Sequence, residues 1–293
     1  MAKRWTGVSC LAFGAFGVAA LACSAEATTP PPSPTPQPSA SSTGTTDPPK
    51  NEPAPEARKS GEVRLLTYFG GEALVRAKFM ADPKALPPGC TSQKSGSCEL
   101  LDCESPAAAR AGLVGAGQVE VYGGTPSVSI TVDPQSNVYA ATKPAPVGKS
   151  FVPATRVVVR ATGGEVPAFD GTVDFPTLAK MTGPALGAKV GRGADLALEW
   201  TGGAAGAVME VELSGRTAER ALKVTCQYPA EAGTGKLPTA LLAKLPAGNA
   251  EIASFTYGKG SVAAGPFDVA TLAGSESLTQ AGDAPWAGRL TLE

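Results

Sequence analysis

Histidine is absent from all 293 residues. That excludes Ser-His-Asp and Cys-His nucleophilic machinery, together with every metal site built on imidazole. Charge is scarce as well: Asp, Glu, Lys and Arg make up 17% of the chain and nearly cancel, leaving a formal net charge of −1. Such a balance gives no basic footprint for nucleic acid and no polybasic patch for anionic lipid. Aromatic side chains are few, with 3 Trp, 5 Tyr and 9 Phe, so a groove lined by rings is not expected. Nucleotide-binding loops are missing too. Gly148-Lys149-Ser150 copies the end of a phosphate-binding loop, but Lys143 stands where that loop needs glycine. Gly112-Leu113-Val114-Gly115-Ala116-Gly117 has the wrong order for a dinucleotide fingerprint.

What is present starts at the N-terminus. Lys3 and Arg4 precede an uncharged, mostly apolar stretch from Trp5 to Ala22, which ends in Ala20-Leu21-Ala22-Cys23. A charged start, an apolar middle and small residues at the end fit a secretion signal better than a membrane span. The segment resembles the signal of bacterial lipoproteins, in which a small residue precedes a cysteine that receives acyl chains. The Leu that this family prefers three places before the cysteine is Ala20 here. The resemblance implies a signal peptide over 1–22, cleavage after Ala22 and lipid attachment at Cys23. Ser24, in place of the Asp that retains lipoproteins in the inner membrane, points to the outer membrane. The expected location is therefore the cell envelope, with the membrane as partner through a lipid worth about 0.8 kcal/mol per buried methylene. Ordinary cleavage near Ala25 and an uncleaved anchor are the alternatives.

From Cys23 to Ser60 the chain is rich in Pro, Ser and Thr, as in Thr28-Thr29-Pro30-Pro31-Pro32-Ser33-Pro34. With almost no large apolar side chains it cannot offset its ordering entropy, so 23–60 reads as a disordered linker with polyproline II character. Fully extended at ~3.1 Å per residue it would reach on the order of 115 Å, enough to lift a folded body off a membrane.

Beyond Gly61 the pattern is β throughout. Val63 and Leu65 alternate with Arg64 and Leu66, Gly70-Gly71 turns the chain, and Leu74 to Phe79 continues as the second arm of a hairpin. Strand-like runs follow at Val119–Tyr122, Val128–Val132, Val138–Tyr139, Arg156–Ala161 and Gly171–Phe175. A second block shows the same alternation at Leu196, Leu198 and Trp200, at Met209, Val211 and Leu213, and at Leu222, Val224 and Cys226. Strands resume near Ile252–Tyr257, Phe267–Leu272 and Trp286–Leu292. One helical turn is expected at Pro238–Lys244, with Leu241, Leu242 and Leu245 inward. Many short strands closed by Gly or Pro indicate β-sandwiches.

The frame Pro184-x-x-Gly187-x-x-Val190, Asp195-Leu196, Trp200-Thr201, Val208-x-x-Val211-x-Leu213, Cys226, Leu237-Pro238 and Leu245-Pro246-x-Gly248 resembles immunoglobulin-like or fibronectin-III-like envelope domains. Over residues 60–293 the chain is similar to the lipoproteins of myxobacterial-type soil bacteria. The resemblance implies an architecture and carries no activity with it. The fold expected is all-β, with two tandem immunoglobulin-like sandwiches at 61–175 and 176–293.

Four cysteines, Cys90, Cys98, Cys103 and Cys226, follow the lipid-attachment cysteine. In an oxidising compartment they are disulfide candidates. If Cys98–Cys103 is a strand its ends lie about 16 Å apart, too far to bridge. Two pairings remain, Cys90–Cys98 with Cys103–Cys226, or Cys90–Cys103 with Cys98–Cys226. A third state has a single bridge in the first half and two free thiols. No Cys-x-x-Cys spacing supports zinc. Asp133-Pro134-Gln135-Ser136-Asn137 reads as a turn rather than a Ca²⁺ loop.

The carboxylates Asp170 with Asp174, and Glu210 with Glu212, each share a strand face and are pairs that in principle serve a glycosidase. Solvated strand faces carry such acids routinely. The expected role is therefore non-catalytic: a displayed β-sandwich that binds an envelope protein or a polysaccharide, or acts structurally, with no cofactor and no metal. A carbohydrate-active hydrolase using paired carboxylates is the alternative.

Overall fold

Strand β1 (Lys59–Tyr68) sends Val63 and Leu65 into a core and turns Glu62 and Arg64 the other way, as its alternating sequence dictates. It forms an antiparallel pair with β2 (Glu72–Met80), Tyr68 opposite Glu72. The computed structural model describes residues 58–68, 71–82, 86, 89–104, 112–135, 137, 139–140, 145–276 and 288–293. The expected signal peptide, Cys23 and the linker as far as residue 57 lie outside them.

The described strands continue with β3 (Cys90–Ser95), β4 (Cys98–Cys103), β5 (Val119–Gly123), β6 (Val128–Val132), β7 (Tyr139–Ala140) and β8 (Ala145–Pro146). Next come β9 (Arg156–Ala161), β10 (Phe169–Asp174), β11 (Ala179–Gly183), β12 (Lys189–Val190), β13 (Leu196–Gly202), β14 (Val208–Arg216) and β15 (Ala221–Pro229). The last are β16 (Thr234–Leu237), β17 (Gly248–Ala264), β18 (Phe267–Glu276) and β19 (Gly288–Leu292). Helix is confined, among the described residues, to a 3-10 turn at Ala230–Ala232 and to α1 (Thr239–Leu242). The fold is all-β.

The described residues form three sheets. The largest has 12 strands in the order β3-β4-β15-β14-β17-β18-β1-β2-β7, with β19, β12 and β8 attached off that path. A 4-stranded sheet runs β10-β9-β5-β6, and a 3-stranded sheet runs β11-β13-β16. Each smaller sheet packs on a different part of the large one. The first core gathers Val63, Val75 and Phe79 from the large sheet against Val121, Ile130, Val159 and Val173 from the 4-stranded sheet. The second gathers Met209, Val211, Leu213 and Val224 against Met181, Leu198 and Trp200. The Trp200 indole N–H donates to the carbonyl of Ala230 at 2.7 Å, which satisfies the polar edge of this buried ring.

The boundary expected between 175 and 176 is crossed by strands in both directions. β1 lies parallel to β18, from Lys59 opposite Phe267 to Thr67 opposite Ser275, so the end of the chain completes the first core. β4 pairs with β15, so Cys98 and Leu100 belong to the second core. β17 belongs to both: Ala250 and Ile252 lie in the second core, and Ala264 lies in the first. Two glycines allow it to pass beneath β10. A Cβ at Gly258 would sit 2.0 Å from the Asp174 carbonyl oxygen, and one at Gly260 2.4 Å from that of Thr172. Only backbone fits there.

The expected helical turn is present as α1, and Leu241, Leu242 and Leu245 are fully buried. Asp195, from the segment before β13, accepts hydrogen bonds from the Thr239 N–H and hydroxyl at 2.8 Å each, satisfying donors at the start of the turn.

Candidate functional site

The two main cores lie on one face of the large sheet; the other carries a small buried cluster of Leu66, Tyr68, Leu74 and Tyr257 and, beside it, charged side chains. Residues from β1, β2, β7, β14, β15 and β17 line one trough of about 440 Å³, including Glu62, Arg64, Arg76, Lys78, Glu212, Lys223 and Phe255. β2 and β15 are five strand steps apart, roughly 24 Å in a flat sheet. A single trough lined by both requires the sheet to curl, concave on this side.

A polar quartet sits at the bottom, with Glu210 and Tyr257 buried, Arg64 half-buried and Gln227 exposed. Glu210, 1% exposed, accepts at Oε1 from Arg64 Nη1 at 2.8 Å and from the Tyr257 hydroxyl at 2.6 Å, and at Oε2 from Gln227 Nε2 at 2.8 Å. Arg64 also donates to the Tyr257 hydroxyl and lies over the Tyr257 ring, 4.8 Å from its centroid. Both carboxylate oxygens are thus satisfied, which is what a buried ion pair needs to persist. Burial alone would push the Glu210 carboxyl up, but the Arg64 charge and the hydrogen bonds from Tyr257, Arg64 and Gln227 outweigh it and hold the group below the usual carboxylate range. Burial, with the Glu210 charge beside it, raises the Tyr257 phenol. Glu210 therefore stays ionised and serves as a clamp between β1, β14, β15 and β17, with no proton to give.

The carboxylate pairs are all engaged. Glu212, on the same face as Glu210, is held by Lys223 Nζ at 2.8 Å. Asp170 accepts from Arg160 Nε at 2.7 Å and Asp174 from Arg156 Nε at 3.3 Å, both cross-strand pairs on the exposed face of the 4-stranded sheet. Glu276 is different. It ends β18 at 2% exposure, its Oε2 has no hydrogen-bond partner, and burial pushes it up to about 7. Nothing in the sequence around Ser275-Glu276 marks it, because its burial comes from strands far away in the chain.

Among the described residues two disulfides are formed, Cys90–Cys103 and Cys98–Cys226. This is one of the two pairings left open by the sequence. Each joins residues directly opposite one another in antiparallel strands, β3 with β4 and β4 with β15. Cys226 faces the second core at 0% exposure, and the bridge reaches it because β4 lies beside β15 in the same sheet.

Among the described residues no group of three or more His, Cys, Asp or Glu is placed to hold a metal, and no helix is long and apolar enough to cross a membrane. At the expected turn, Asp133 accepts from Gln118 and the Asn137 amide donates to the Leu113 carbonyl. No protein-family model matches the chain, and a search of curated proteins finds no significant match.

Proposed function

We propose that this is a lipid-anchored protein of the bacterial cell envelope whose β-sandwich body serves binding rather than catalysis. The observation that carries the reading is the use of cysteine. Cys90, Cys98, Cys103 and Cys226 are all spent in disulfides, bonds that persist in oxidising compartments outside the cytosol. Cys23, behind its apolar stretch and small residues, stands outside those pairs and is the lipid-attachment residue, as in the lipoproteins the N-terminus resembles. The linker of 23–60 then spaces the body from the outer membrane. Support for a non-catalytic role comes from the carboxylates: Glu210 is clamped in its charged form, while Glu212, Asp170 and Asp174 each hold a basic partner. The immunoglobulin-like resemblance of 61–175 and 176–293 belongs to the same reading.

The test is metabolic labelling with a palmitate analogue followed by detergent phase partition. Wild type takes up label and enters the detergent phase, and Cys23→Ala loses both properties. An unlabelled, fully water-soluble wild-type protein would overturn the proposal.

A further inference from the structure

The trough on the open face of the large sheet carries one cation, Arg76, that no ion pair among the described residues accounts for. The protein as a whole is weakly acidic, yet this trough sets four cations, Arg64, Arg76, Lys78 and Lys223, against three carboxylates, Glu62, Glu212 and the underlying Glu210. Arg64 and Arg76 are directly opposite one another in the β1–β2 ladder. Like charges at such a position are destabilising unless something lies between them. Arg64 is committed to Glu210 and, through Nε at 3.1 Å, to Glu62, but exposed Arg76 has no acidic partner among the described residues. Lys78 reaches Glu62 only at 3.9 Å. A stabilising scaffold would place an acid opposite Arg76. A binding site leaves that place for its ligand.

We propose that the trough binds an acidic saccharide, a chain of sugar rings bearing carboxylates. Its carboxylates sit at Arg76, which has no acidic partner among the described residues, and at Lys78, held only by the long 3.9 Å contact to Glu62. Its hydroxyls donate to Glu62 and Glu212, acceptors that a purely anionic ligand such as phosphate would find repulsive. Carboxylate and hydroxyl together on one ligand answer the mixed lining, with both signs used. Phe255, half-buried beside the cations, offers a ring face held in place by stacking on Tyr257, the two rings 12° from parallel with centroids 6.0 Å apart. The quartet beneath fixes Arg64 and Tyr257 before any ligand arrives, so little order remains to be imposed on binding. The walls are β-strands rather than loops, and the lining is drawn from six strands across the sheet, which suits an extended polymer more than a small compact molecule.

The assignment relies on the envelope reading only for where such a ligand is met. The experiment is titration calorimetry of the full chain with a galacturonate oligomer, its carboxyl-reduced neutral counterpart and inorganic phosphate. The galacturonate oligomer is expected to bind and to weaken as salt rises. Arg76→Ala and Lys78→Ala, both at exposed positions, should each lower affinity about tenfold, the loss of one charge-assisted contact. Arg160→Ala, on the other sheet, should bind as wild type does. Equal binding by Arg76→Ala and wild type, equal binding of the neutral oligomer, or binding of phosphate without the oligomer would each overturn the proposal. Acyl labelling of Cys23 on the same preparations reads the anchor separately, so the two readings fail independently.

Discussion

At the scale of single residues, the two buried carboxylates of the open face have opposite fates. Glu210 is surrounded by donors from three other strands and stays charged. Glu276 is buried beside Phe255, its opposite number on β17, without a partner at Oε2. Its carboxyl is pushed up from the ordinary 4.5 to about 7 by burial. The folded protein therefore holds this proton up to near neutrality, while the unfolded chain releases it near 4.5. Between those values the native state binds more protons, so stability from this group falls as pH rises and levels off above about 7. Glu276→Gln keeps the shape and abolishes the ionisation. The variant should match wild type near pH 4.5 and exceed it by about 1–3 kcal/mol at pH 8. Urea midpoints at the two pH values check this, and a variant advantage that does not depend on pH would contradict it.

At the scale of elements, local periodicity was a good guide and longer-range pairing was invisible. Leu196, Leu198 and Trp200, and Met209, Val211 and Leu213, are buried on one side of β13 and β14 as their alternation requires. Leu66, Tyr68 and Leu74 break the rule. They fall on the side of β1 and β2 away from the first core, yet they are buried in a small cluster with Tyr257. Alternation reports one packed face, and a strand covered on both sides cannot be recognised from its own sequence. The hairpin β3–β4 shows the same limit. Its exposed residues Thr91, Ser92, Gln93 and Lys94 carry no core signal, and its place at the sheet edge is set by Cys98 meeting Cys226. That bridge spans a sequence separation of 128 and nominally contributes about 4–5 kcal/mol, against about 3 kcal/mol for the 13-residue separation of Cys90–Cys103. Replacing Cys98 and Cys226 together by Ala should lower stability more than replacing Cys90 and Cys103 together. Denaturation of the two paired variants decides it, and the reverse order would mean that chain closure does not govern this hairpin.

At the scale of the whole molecule, the sequence read in order divides near residue 175, and the cores roughly follow that division. The trough does not: Arg64 and Glu210 come from opposite halves, and no local pattern brings them together. Residues 55–293 form one compact unit. β1 and β18 are adjacent strands although some 200 residues lie between them, as the Ser275 hydroxyl bonding the Thr67 carbonyl attests. β17 runs unbroken from the second core to the first over 17 residues. Melting the second core would strip β17 from β14, and with it the strand that holds β18 and β1 in place. Neither core can then open alone without exposing apolar surface of the other. Two sandwiches joined only by a linker would unfold in two steps, whereas shared strands couple them into one. Calorimetry is therefore expected to give a single transition with matching calorimetric and van't Hoff enthalpies. Leu198→Ala in the second core and Val159→Ala in the first should each move that one transition down, by about 2–5 kcal/mol for the larger truncation. A Leu198→Ala protein showing two separated transitions, one of them at the wild-type temperature, would show that the cores fold independently despite the strands they share.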